Sequence, residues 1–443
     1  MDAEFLQHVR EVTDEGLSRD FAPKSPREKD IISIPDIVSI CIGVRRCGKS
    51  TLMEGVILRL LAEGVSRDNI VCINFSDDRL LGLQSGGWDA FFSAYYGRFP
   101  EKRGKETVYF FFDEIQQFPH WELFIERLRR EENCRIFITG SSAHLLAHEV
   151  GTELRGRTLS TELFPFSFGE FMVRCGISRQ GRGTTHRMKV LKAWEKYCAE
   201  GGFPGVFDLP EEARKLLHRE YLNALMLRDV IERYKVTQPL ALRHLVNRMV
   251  NGIGTLFSFR KVGEELKALG FSVNRDIVAQ YLQWLEDAYF IFTIPVYSAS
   301  VARQARELRK VYCVDHAMAN TLSNGVLKNR GQMLENMVFV HLRRYTPQVY
   351  YYKTKNALEV DFIAVFPGGE KLLVQVCADM GAPDTRKREL RALQAAMAES
   401  GLRRGIVITN GVPETISADE GTIDVIPAAE FLATPPVFPE KIV

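Results

Sequence analysis

No CxxC pair occurs anywhere in this chain of 443 residues, although it carries eight cysteines. They are scattered, at Cys41, Cys47, Cys72, Cys134, Cys175, Cys198, Cys313 and Cys377, which suggests neither a zinc ribbon nor a disulfide framework. Several fall inside apolar, strand-like runs where cysteine acts as a small hydrophobe, and a reduced cytoplasmic setting is expected. A long apolar run is missing too. The longest, IISIPDIVSICIGV at residues 31–44, is short and broken by Pro35 and Asp36, so no membrane partner is expected. The opening MDAEFLQHVREVTDEG is too charged for a signal peptide. Charge of one sign is also lacking: 58 Lys and Arg against 56 Asp and Glu give a formal +2, which neither demands nor excludes nucleic acid. Basic runs at residues 126–135, 303–310 and 385–391 read most simply as solvated helix faces. No internal repeat or low-complexity tract is seen, and the length fits roughly two to four domains.

What is present is a phosphate-loop pattern, GVRRCGKST, at residues 43–51. A β-rich apolar run, IVSICIG, precedes it. After it, Leu52, Val56 and Leu60, with Met53, Ile57 and Leu61 beside them, repeat at helical spacing. Strand, glycine loop and helix are the context such a loop requires. Gly43 and Gly48 allow a tight turn, and the backbone N–H groups of Val44, Arg45, Arg46, Cys47, Gly48 and Lys49 would face phosphate oxygens at a helix N-terminus. The Lys49 ammonium would meet the β- and γ-phosphates of ATP, the Ser50 hydroxyl would ligate Mg2+, and Thr51 completes the loop.

A second apolar strand, VYFFFDEIQQF, ends in Asp113 and Glu114. There an aspartate can hold the water shell of Mg2+, and the adjacent glutamate can polarise an attacking water. A third, CRIFITGSS, ends in Thr139, Ser141 and Ser142, which either sense the γ-phosphate or make an ordinary polar strand end. NIVCINFSDD reads as another strand with polar residues at its carboxyl edge, where ligands of open α/β sheets gather. Arg155 and Arg157 admit two readings: an arginine finger acting on a neighbouring subunit's nucleotide, or a surface ion pair.

GVRRCGKSTLM, INFSDDRL, FFFDEIQ, FITGSSAHLL, LRGRTLSTELFPFSFGEF, EGGFPGV and LRDVIERY together resemble a widespread family of bacterial and archaeal AAA+-like ATPases. The resemblance spans nearly the whole chain. It implies an α/β fold with a P-loop NTPase (AAA+-like) parallel sheet, followed by a helical and winged-helix part and a C-terminal domain of unknown function. The expected divisions are an N-terminal arm at 1–30, the ATPase domain at 31–172, a helical lid at 173–240, a winged helix at 241–300 and the C-terminal domain at 301–443.

In the lid, Arg228 reads either as a nucleotide-sensing arginine or as part of a helix-face ion pair. In the winged helix, Ser272 or Asn274 would cap a second helix whose exposed residues, Arg275 among them, would enter the major groove in a DNA reader. Little positive charge on that helix favours a protein-contact module instead. The C-terminal order αβββαβ resembles the PD-(D/E)xK nuclease fold, whose chemistry needs a helix glutamate, a strand aspartate and an acid-x-lysine to hold Mg2+. Glu335 and Asp361 match the first two places. Gln375 and Cys377 stand where the acid and the lysine belong, with Lys353 and Lys355 near enough in sequence to substitute for the lysine. A degenerate, non-cutting centre is therefore expected. The whole reads as an ATP-driven switch. DNA or RNA, another protein or a second copy of the chain are the candidate partners; a DNA-binding regulator gated by its ATPase and an ATP-dependent nuclease are the alternatives.

Overall fold

The computed structural model describes residues 3–22, 24–80, 88–117, 120–140, 154, 156–323 and 330–436. The chain divides into two compact units, Met1–Leu163 and Phe164–Val443.

In the first unit, helix α1 (Ala3–Ser18) precedes β1 (Val38–Ile42), α2 (Lys49–Ala62), β2 (Ile70–Asn74), α3 (Asp89–Arg98), β3 (Val108–Asp113), α4 (Trp121–Glu131), β4 (Cys134–Gly140) and β5 (Thr158–Glu162). The five strands form one sheet in the order β2-β3-β4-β1-β5, parallel throughout. Parallel strands covered on both faces need apolar residues at every position rather than alternation, and β1 is buried along its whole length. Helix α2 starts directly from the loop, and Leu52, Met53, Val56, Ile57 and Leu60 are its buried apolar positions, as their spacing predicts. On the other side of β3, aromatic rings fill the layer under α3 and α4: Trp88 stacks on Phe124 with centroids 4.3 Å apart, and Phe75 meets Phe112 edge-on.

The stretch expected as an N-terminal arm contains α1, which is part of this unit. Val9, Val12 and Leu17 are buried. At Gly16 the helix backbone comes so close to β2 that an added Cβ would stand 1.9 Å from the Cys72 carbonyl oxygen. Charged residues between these positions dilute the periodic signal in the sequence.

The second unit begins with α5 (Phe168–Arg174), α6 (Thr184–Glu200) and α7 (Glu211–Ala224), the last running into a π-helical segment at Leu225–Glu232. Then come α8 (Pro239–Asn251), β6 (Leu256–Phe257), α9 (Phe259–Ala268), α10 (Arg275–Asp287), β7 (Ile291–Ile294), α11 (Val301–Arg306), β8 (Arg309–Cys313) and α12 (His316–Leu322). Strands β6, β8 and β7 make an antiparallel sheet beside these helices. Asn274, rather than Ser272, caps α10 by accepting from the Ile277 N–H at 2.9 Å.

The remainder is α13 (Arg330–Arg343), β9 (Val349–Lys353), β10 (Glu359–Val365), β11 (Lys371–Val376), α14 (Pro383–Ser400), β12 (Arg404–Thr409), β13 (Glu414–Ala418), β14 (Gly421–Pro427) and α15 (Ala428–Ala433). The αβββαβ order is present, and β13 and β14 extend the sheet to six strands ordered β13-β14-β12-β11-β10-β9. Leu373, Leu393, Met397, Val407 and Ile423 form the core between this sheet and α14. The pairing of β10 with β9 shifts register between Val360 and Ile363. That places an irregularity at Asp361 and Phe362, a device that re-aims side chains.

Candidate active site

The loop of residues 43–51 leaves the carboxyl end of β1 and enters α2. Gly43 has φ of +151° and an added Cβ there would stand 2.0 Å from the Leu163 carbonyl oxygen, so only glycine fits. Gly48, at φ +103°, takes the left-handed turn into the helix. Arg46, at φ 66°, also lies in the left-handed region. Val44 and Cys47 are buried beneath the loop; the Cys47 thiol donates to the Leu163 carbonyl at 3.3 Å. Burial raises the pKa of that thiol against the opposing pull of Lys49 and Arg27, so it stays a neutral packing group. Lys49 is buried, and its ammonium donates to the carbonyls of Gly43 at 3.0 Å and Val44 at 3.1 Å. Those bonds use two of its three donors and hold the ammonium under the loop.

Because β1 neighbours β4, which neighbours β3, the ends of all three strands lie side by side. The Ser50 hydroxyl donates to Asp113 Oδ2 at 2.7 Å. The Thr139 hydroxyl, from β4, donates to Asp113 Oδ1 and accepts from the Glu114 N–H at 3.2 Å. Glu114 has φ of 54°, uncommon for a residue with a side chain. The chain thus turns sharply after β3, and Gln116 donates to Glu114 Oε2. Ser50, Asp113, Thr139 and the Glu114 backbone are thus joined by hydrogen bonds, and Lys49 precedes Ser50 under the loop.

Arg157 is placed elsewhere. It directly precedes β5, with its carbonyl bonded to the Val38 N–H at the amino end of β1. Its guanidinium lies 3.9 Å from Glu126. The loop is at the opposite end of these parallel strands, so Arg157 does not reach the nucleotide end of its own chain. Ser141, Ser142 and Arg155 lie outside the described residues. Arg228 is exposed on the π-helical segment. The exposed positions of α10 are Arg275, Asp276, Gln280 and Gln283, one cation and one anion, which gives that helix no basic face.

Two contributions escaped the sequence. Arg27 donates to the Cys47 carbonyl at 2.8 Å and supports the loop from outside. A cavity of about 390 Å³ is lined by Ser50 and Asp113 together with Glu15, Arg19 and Glu54, so α1 forms one wall of the space beside Ser50 and Asp113. No local pattern marks either feature, since both depend on where the first thirty residues fold back.

In the second unit, Glu335 and Asp361 do meet. The third residue at their centre is Lys310, from β8: its ammonium lies 3.0 Å from Glu335 Oε1, 2.9 Å from Asp361 Oδ1 and 2.8 Å from Glu359 Oε1. The run at residues 303–310, read from sequence as a solvated helix face, therefore ends in a buried lysine. Gln375 is turned to structural bonds, its Oε1 accepting from the Asp361 N–H at 3.2 Å and its Nε2 donating to Glu389 at 2.6 Å. The Cys377 thiol donates to the Asp379 carbonyl at 3.2 Å. Lys353 pairs with Glu307 at 3.6 Å, and Lys355 is exposed with its backbone N–H bonded to Glu399. Neither supplies the centre's cation.

Residues 36–172 match the model of an AAA domain, residues 191–329 a domain of unknown function (DUF8612) and residues 330–431 another (DUF4143). An uncharacterized protein of Methanocaldococcus jannaschii is 32% identical over 377 residues, 84% of this chain and 81% of the relative. An uncharacterized protein of Haemophilus influenzae is 28% identical over 347 residues, covering 78% of this chain and 83% of the relative. Among solved structures, a Walker-type ATPase of Pyrococcus abyssi aligns at 15% identity with a TM-score of 0.36, over 72% of this chain and 95% of that one. No helix among the described residues is long and apolar enough to cross a membrane. With its glycine loop, its acid-tipped third strand and this extended match, the chain belongs to the family of AAA+-like P-loop ATPases in which an AAA domain precedes a C-terminal domain of unknown function.

Proposed function

We propose that the chain binds ATP with Mg2+ at the loop of residues 43–51, hydrolyses it, and uses the change of nucleotide state as a switch in a regulatory or nucleic-acid-related process. One observation supports the reading above the others: the hydrogen-bonded series of the Ser50 hydroxyl, the Asp113 carboxylate, the Thr139 hydroxyl and the Glu114 backbone N–H at one end of the sheet. Mg2+–ATP fits this donor set, because a hydroxyl and a carboxylate converge at the mouth of a loop whose shape only glycine allows. Ser50 would ligate the metal directly and Asp113 would hold its water shell. Bound there, Mg2+ neutralises charge that develops on the phosphates. Lys49 would add its remaining donor to the terminal phosphates. Glu114, aimed by its turn and by the Thr139 hydroxyl, would accept a proton from the attacking water.

The proposed readers of the nucleotide state are DNA or RNA, a protein, or a second copy of the chain. Steady-state ATPase activity with and without DNA and RNA, alongside solution mass in ATP and ADP, separates them. Activation or mass change by one of these identifies it. A chain with no ATPase activity under any of the conditions contradicts the proposal.

A further inference from the structure

We propose that the Lys310 ammonium stands where the nuclease resemblance would put a divalent cation, so that the centre of Glu335, Glu359 and Asp361 is a lysine-locked clamp rather than a metal-dependent cutting site.

Valence is the first argument. An ammonium has three donors and no acceptor, and Lys310 meets three carboxylates at 2.8–3.0 Å. These donors are therefore saturated. The carboxylates are engaged elsewhere as well: the Tyr312 hydroxyl donates to Glu335 Oε1 at 2.7 Å, and the Val376 N–H to Asp361 Oδ2 at 2.9 Å. A cation such as Mg2+ demands near-octahedral oxygen ligation and keeps several waters. Here the oxygens converge on a nitrogen instead.

Charge is the second. The Lys310 side chain is 3% exposed, against 13% for Glu335 and 12% for Asp361. Burial pushes the pKa of that ammonium down, but the surrounding carboxylates, Asp361 first and then Glu335 and Glu359, outweigh burial and hold it well above its ordinary value. The residue that should complete the metal site spends its amide on structural bonds, Gln375 accepting from the Asp361 N–H and donating to Glu389.

Connectivity gives the clamp its consequence. Lys310 belongs to the three-stranded sheet, pairing with Leu256 of β6 and Ile294 of β7. Its partners Glu359 and Asp361 belong to the six-stranded one. The ion cluster ties the two sheets together inside the second unit. It stands on geometry separate from the nucleotide site and does not depend on the ATPase reading.

The test is Mn2+ binding to the full-length chain without nucleotide, followed by the paramagnetic signal of free Mn2+. The Asp113→Asn chain, with the nucleotide-linked metal site removed, should bind none at ~1 mM. Lys310→Met in that background should gain one Mn2+ per chain, and Asp361→Asn added to it should abolish the gain. One Mn2+ bound by the chain that still has Lys310, or a folded Lys310→Met chain that gains none, overturns the proposal. If Lys310→Met does not fold by itself, its recovery by Mn2+ supports the clamp and its failure to recover opposes it. Mn2+-dependent DNA cleavage by the wild type, lost in Asp361→Asn, also overturns it.

Discussion

The Ser50 hydroxyl donates to Asp113 Oδ2 across 2.7 Å, joining residues 63 positions apart in the chain. One comes from the first turn of α2, the other from the tip of β3, and the parallel sheet is what brings them together. Thr139, on the strand between, bonds to Asp113 and to the Glu114 backbone at once.

On the proposed function, Thr139 acts as a positioning residue, its hydroxyl bonded to the Asp113 carboxylate and to the Glu114 backbone N–H. Thr139→Val keeps the shape and removes both bonds. ATP hydrolysis is expected to fall about 10–100-fold, with nucleotide affinity changed by less than about threefold. Hydrolysis at the wild-type rate would mean that Asp113 and Glu114 align without it.

Gly16 should tolerate nothing larger. Gly16→Ala puts a methyl 1.9 Å from the Cys72 carbonyl oxygen, which forces α1 off β2 at a cost of about 1–3 kcal/mol. Thermal melting reads this directly. Because α1 also walls the cavity beside Ser50, weaker nucleotide binding should accompany the lower melting temperature.

Arg157→Ala removes an exposed contact of 3.9 Å with Glu126, worth under about 1 kcal/mol. Melting and the ATPase rate of dilute protein should both stay at the wild-type level. A rate that falls only at concentrations where the chain self-associates would instead give Arg157 a role at a neighbour's nucleotide.

Glu335 provides a pH test. Burial first, and then the charge of Asp361, raise its carboxyl from an ordinary 4.5 to about 7. The folded state therefore holds this proton more tightly than the unfolded chain. The resulting stabilisation is complete below the ordinary value and is lost as pH rises through about 7. Glu335→Gln cannot titrate. The melting temperature of the wild type should fall relative to this variant between pH 5 and pH 8, and a constant gap across that range would contradict the assignment.

The nucleotide end was legible in the sequence because its signal is local: glycines at fixed spacing, a hydrophobic strand before them and a period of 3.6 after. Asp113 and Glu114 could be read the same way, at the tip of an apolar run. Lys310 could not. Its neighbours Arg303, Arg306 and Arg309 give it the look of a solvated run, while its three partners come from a helix and a strand 25 to 51 residues later. Arg157 shows the converse limit, since proximity to a motif in sequence does not say which end of a strand a residue occupies. Helix α1 was obscured because Val9 and Val12 are apolar positions set among charged ones, and only packing on β2 makes them core.

The central claim is that Lys49 and Glu114 divide binding from hydrolysis at one site. Its most direct test is phosphate release from ATP, measured beside equilibrium ATP binding, for the wild type, Lys49→Ala and Glu114→Gln. The account predicts that Lys49→Ala binds ATP poorly, whereas Glu114→Gln binds it normally and releases phosphate at least about a hundredfold more slowly. Wild-type phosphate release by both variants would contradict it.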